Sequence, residues 1–144
     1  MMQPPTIDAP RDAGLPQCYT HPPMNPSEIH ARLATSFILF MVIAAVWSLV
    51  AAARRQGVSG TAFGIFGIGE LLALAQGVLG VALYAAGERP ARGVHLLYGV
   101  TAVLALPAYY AISKGRDDRT ASLVYGGLCL FLAVAGYRAV ITGV

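Results

Sequence analysis

Charged residues fall along this chain in clusters, and the stretches between the clusters are apolar on every face. No charged side chain occurs from Leu33 to Ala53, one (Glu70) from Gly57 to Gly87, none from Leu96 to Ser113 and none from Thr120 to Tyr137. Each stretch is at or near the roughly 20 residues that an α-helix needs to cross about 30 Å of hydrocarbon. The pattern predicts four transmembrane helices, at about 27–53, 60–86, 91–113 and 119–142. A closed β-barrel also satisfies its backbone in lipid, but barrel strands alternate apolar and polar residues. These runs do not alternate and are rich in Ala, Leu and Gly. The expected fold is all-α: an integral membrane four-helix bundle over residues 26–144.

Residues 1–25 read differently. The stretch "MMQPPTIDAPRDAGLPQCYTHPPMNP" has no basic n-region and no apolar h-region, so it is not a cleaved signal. It is a proline-rich extramembrane tail, expected to be extended. Such a tail becomes ordered when something holds it, which points to other membrane subunits as partners, besides the lipid bilayer.

Composition agrees with the patterning. A 144-residue chain with 56% hydrophobic and 12% charged residues is not a soluble domain. The net charge of +3 sits at helix ends, where Arg and Lys anchor membrane proteins, so no nucleic-acid partner is expected. The loops "AARRQGVSG" and "SKGRDDR" carry five basic residues, Arg54, Arg55, Lys114, Arg116 and Arg119, against Arg32, Arg89, Arg92 and Arg138 at the other face. The positive-inside rule then puts the two loops in the cytoplasm and both termini outside, in a bacterial or archaeal plasma membrane. Cys18 and Cys129 lie too far apart in depth to pair; Cys129 reads as a small buried residue.

Aligning His30 with His95 brings Arg54 onto Arg119 and sets the two glycine-rich second helices in register. The chain reads as two pseudo-repeated helical hairpins related by an axis along the membrane normal. Asn25, Pro26 and Glu28 suit the cap, first helical position and N3 place of a capping box. Pro90 is expected to start the third helix, with His95 about one and a half turns in. One turn below the histidines come small residues, Ala34 under His30 and Gly99 under His95, which leave a slot between two imidazoles at one depth.

Two neutral imidazoles facing across a slot suit a six-coordinate haem iron, and helical bundles hold cofactors on side chains of facing helices. Arg32, Arg89 and Arg92 lie at the level expected for haem propionates. The leading expectation is a small b-haem subunit of an electron-transfer complex with His30 and His95 as metal ligands, lined by Arg32, Arg92, Ala34 and Gly99. One imidazole also suits a chlorophyll magnesium, and a quinone fits the same region. A different expectation is a cofactor-free accessory subunit of a respiratory or photosynthetic complex.

"SEIHARLATSFILF", a basic cytoplasmic loop and "VHLLYGVTAVLAL" together resemble one half of haem A synthase. The halves of that family are four-helix bundles with a histidine near the outer ends of the first and third helices. The resemblance covers about Pro26 to Val144 and implies that His30 and His95 are axial ligands on the outer side. It also brings in a third expectation, a half-size haem-modifying enzyme. The family pattern Glu-x-x-His-Arg is spaced differently here, with Glu28 two residues before His30 and Arg32 two after, and its cysteine pair is reduced to Cys18. Haem binding follows more directly than oxidation of a haem methyl group, and no catalytic activity of the chain's own is expected.

Glu70 lies near mid-membrane, where a carboxyl is costly and marks a candidate proton or quinone site; Gln76, nearer the outer face, is placed to meet a cofactor or link helices. The run "GTAFGIFGIG" with Gly60, Gly64, Gly67 and Gly69 lacks a preceding strand, so it is read as a close-packing surface and not a nucleotide loop. Pro107 is expected to bend the third helix. Trp47, Tyr84, Tyr98, Tyr109, Tyr110 and Tyr137 read as aromatic belts.

Overall fold

The computed structural model describes residues 25–143. The expectations for the proline-rich tail and for Cys18 lie outside the described residues. Within them the chain is all helical: α1 (Pro26–Ala53), α2 (Gly60–Ala85), α3 (Val94–Ser113) and α4 (Arg119–Gly143). All four are long and apolar enough to cross a membrane.

Local chemistry sets the helix starts. Asn25 caps α1 by accepting from the Ser27 N–H at 3.4 Å, with Pro26 at the first helical position. Ser59 caps α2 through the Ala62 N–H at 3.2 Å, and Asp118 caps α4 through the Ala121 N–H at 2.8 Å. α3 has no side-chain cap. It begins at Val94 and not near 91, because the preceding backbone is spent on another helix: the Arg92 N–H donates to the Thr142 carbonyl at 3.1 Å. Residues 91–93 thus run across the end of α4, which lacks intrahelical donors for its last carbonyls. The capping box is also corrected. Glu28 does not reach back to Asn25; its carboxylate accepts from Arg32 one turn ahead, at 2.6 Å.

Successive helices are antiparallel neighbours around a square. α1 packs on α2 and α4, α3 packs on the same two, and α1 and α3 face each other across a diagonal. The sides of the square are unequal. The α1–α4 side is the most extensive contact and the α2–α3 side the least. Ala44, Ala45, Ser48 and Ala52 of α1 are buried, as are Ala121, Ser122, Cys129 and Ala133 of α4, so small side chains bring these two backbones close. Only Leu106 of α3 is buried. α3 continues through Pro107 to Ser113.

The glycine run of α2 contributes less packing than its sequence suggests. A side chain at Gly60, Gly64 or Gly67 would meet nothing within 4 Å, and only Gly69 presses on a neighbour, Met41 of α1. Close packing through glycine occurs instead on α4, where Gly126 lies against Leu49 and Gly136 against Phe37 and Ile38.

The end of the bundle away from the histidines is tied by polar contacts. The Val58 N–H donates to the Asp117 carbonyl at 2.7 Å, joining the two loops. The Ser48 hydroxyl donates to the Ser122 carbonyl at 2.8 Å, and Arg119 Nε donates to the Ala52 carbonyl at 3.0 Å.

Candidate functional site

His30 lies in the second turn of α1 and His95 in the first turn of α3, so the late start of α3 leaves His95 much nearer its helix end than expected. The two side chains nevertheless meet across the diagonal, with ring centroids 6.2 Å apart and planes inclined at 54°. Both rings are half-buried. They join the two hairpin-opening helices, whose backbones do not pack on each other.

Each imidazole is held by the helix that follows it in the chain. His95 Nδ1 lies 2.8 Å from the Ala139 carbonyl of α4, so it carries the proton and Nε2 keeps its lone pair. Gln76 of α2 donates through its amide nitrogen to the His30 carbonyl at 3.0 Å and lies 3.4 Å from His30 Nε2. One turn beyond each of these partners a glycine supports the ring. A Cβ at Gly80 would fall 3.3 Å from His30 Cε1, and one at Gly143 would fall 2.9 Å from His95 Nδ1. The pairs Gln76–Gly80 and Ala139–Gly143 therefore repeat the same support for the two histidines.

Sequence reasoning singled out Gln76 but missed Gly80, Gly143 and the Ala139 carbonyl. The signal for the glycines was the four-residue spacing after Gln76 and Ala139 in corresponding helices. The small residues expected below the histidines play a smaller part: Ala34 is half-buried, and Gly99 is exposed with open space where a side chain would go. The arginines are engaged elsewhere. Arg32 is paired with Glu28 on the exposed face of α1, Arg89 lies over the Tyr84 ring at 3.6 Å, and the Arg92 side chain is exposed.

Buried polar side-chain atoms rarely lack a partner. Among the described residues four do: His30 Nδ1, Gln76 Oε1, Glu70 Oε2 and Tyr125 Oη. The first two belong to the histidine site. The Gln76 amide nitrogen donates to the His30 carbonyl and faces the Nε2 lone pair, so the neutral ring carries its proton on Nδ1, which has no partner. His95 therefore has one nitrogen fixed by a neighbouring helix and Nε2 without a partner, the usual arrangement for a metal-bound histidine.

The donor set fits an axially ligated metal between the rings. Two metal–nitrogen bonds of about 2 Å, each extended to its ring centre, span about 6 Å, which matches the separation observed. No group of three or more His, Cys, Asp or Glu side chains suited to a metal occurs among the described residues.

Glu70 and Tyr125 form a separate feature. They line a cavity of about 520 Å³ on the α2–α3 side, toward the loop end, with Phe63, Phe66, Pro107 and Tyr110. Tyr125 is buried in the core, with Phe66 stacked on it at 4.5 Å. Comparisons with known protein families, characterised proteins and solved structures found no match to this chain.

Proposed function

We propose that this chain is a membrane b-haem protein, with His30 and His95 as axial ligands, acting as an electron-transfer subunit. The reading is carried by one observation: two imidazoles from diagonal helices stand 6.2 Å apart, with His30 Nδ1 and His95 Nε2 making no hydrogen bond to the protein. Haem bound there supplies one-electron chemistry. The chain's own residues orient the ligands: Ala139 fixes the His95 tautomer, Gln76 fixes His30, and Gly80 and Gly143 keep the rings from turning away.

The subunit reading is preferred to a half-size haem-modifying enzyme because Glu28, the carboxylate nearest His30 in the chain, is bonded to Arg32 on the exposed face of α1. On this proposal the site faces outward in a bacterial or archaeal plasma membrane, a placement supported by the five basic residues of the two opposite loops. Lipid and other membrane subunits are its proposed surroundings.

The test is an absorption spectrum of the purified protein, oxidised and reduced. The wild type is expected to show a b-haem spectrum with bis-histidine features, lost in both His30→Ala and His95→Ala. A haem-free wild type, or an unchanged spectrum in both variants, overturns the proposal.

A further inference from the structure

The second pair of unpartnered polar atoms, Glu70 Oε2 and Tyr125 Oη, lies outside the histidine site and opens another function. Both residues line the same cavity between α2 and α3, within the apolar span of the bundle. Three aromatic rings, Phe63, Phe66 and Tyr110, form much of its remaining wall. Phe66 stacks on Tyr125 at 15°, while Phe63 meets Tyr125 and Tyr110 edge-on with ring centroids 5.9 Å away in each case. Gly67 and Pro107 add little bulk on the two facing helices, and a side chain at Gly67 would meet nothing within 4 Å.

A ligand for such a place must be soluble in lipid, present a flat ring to aromatic faces and edges, and bring oxygen atoms to a carboxyl and a phenol. We infer that the α2–α3 cavity binds the head group of a quinone, with Tyr125 donating its hydroxyl hydrogen to one ring oxygen and Glu70 bonding the other. In the quinone form a protonated Glu70 donates; in the quinol form the ring hydroxyl donates to the carboxylate. This assignment concerns residues on the far side of Glu70 from the histidines and stands whether or not haem binds. Gln76, six residues beyond Glu70 on α2, lies about 9 Å farther along the helix, so the two sites share one helix without sharing a residue.

The orphaned atoms make a test with opposed readouts. A buried polar group without a partner costs stability, and replacing it with an apolar group relieves that cost. Glu70→Leu is therefore expected to keep or raise the thermal unfolding temperature in detergent, and Tyr125→Phe, whose hydroxyl has the Ser113 side chain beside it, to change it little, while each weakens quinone binding about tenfold, the scale of one lost buried hydrogen bond. Gly67→Phe, at a position where a Cβ meets nothing within 4 Å and which lines the cavity, is expected to fold and abolish binding by filling the cavity.

The probe is ubiquinone-1, titrated into the full-length protein in nanodiscs against empty nanodiscs, with bound quinone measured after separation. Saturable binding by the wild type, lost in Gly67→Phe and weakened in the other two at undiminished stability, is the expected result. Uptake no greater than that of empty nanodiscs overturns the inference, as does equal binding by the wild type and Gly67→Phe. The haem spectrum is recorded on the same samples, so failure of one site is seen separately from failure of the other.

Discussion

The α1–α4 and α2–α3 sides occupy corresponding positions in the two-hairpin repeat, yet they are built in opposite ways. On the first, small residues and glycines let two backbones approach closely, and buried Ser48 and Leu132 fill what remains. On the second, α3 buries Leu106 alone, three glycines of α2 face open space, and a cavity carries two unsatisfied polar atoms. The difference shows how one repeat divides its labour. One side holds the bundle together, and the other keeps room for chemistry that tight packing would exclude.

The largest expected effect separates the two sides through a single type of substitution. Gly126→Leu drives a side chain into Leu49, where even a Cβ would stand 2.8 Å from Leu49 Cγ. Overpacking of this kind costs about 1–3 kcal/mol, more where backbone must move, and Leu49 N is itself only 3.3 Å away. Gly67→Leu on the open side should change stability by less than about 1 kcal/mol, because Leu is the better helix former and meets no neighbour. Thermal unfolding of both variants in detergent measures the contrast, and equal losses would erase it.

A smaller effect is expected at Ser48. Its hydroxyl supplies one interhelical hydrogen bond to Ser122 at 2.8 Å, and such bonds in membranes contribute about 0.6 kcal/mol on average. Ser48→Ala should lower stability by roughly that amount, whereas Thr101→Ala, whose hydroxyl bonds only within α3 to the Leu97 carbonyl, should be nearly silent.

The smallest effect is a pH dependence at the loop end. The Ala121 N–H and then the Arg116 side chain hold the Asp118 carboxyl below the usual carboxylate range. A depressed folded-state value means that its contribution is complete above the unfolded value of about 4 and is lost as pH falls through the lower folded value. Acid titration of unfolding should therefore show a slight loss of stability below about pH 4 that Asp118→Asn removes, since the amide keeps the cap without titrating. The same acid slope in both proteins would assign it to other carboxylates.

Much of the architecture was legible because lipid leaves few choices. The charge-free intervals located all four helices, and three of them begin within one residue of the expected start. The histidine alignment likewise anticipated a meeting of His30 and His95. What stayed hidden depends on contacts between distant parts of the chain. Pro90 is a sound helix starter locally, but Arg92 spends its N–H on Thr142, so α3 waits until Val94. Glu28 suits a capping box, yet Arg32 one turn ahead offers it an ion pair. Glycine spacing marks possible close approach in both second helices, and only the partner surface decides that Gly126 uses it while Gly67 does not.

The strongest contact in the bundle joins helices that leave the ribosome far apart in time. At about 5–20 residues per second, the stretch between Ala53 and Arg119 takes several seconds to make. During that interval α1 exposes Ala44, Ala45, Ser48 and Ala52 to lipid without the partner that later covers them. Until α4 is made, the small-residue face of α1 lacks the helix that covers it in the finished bundle.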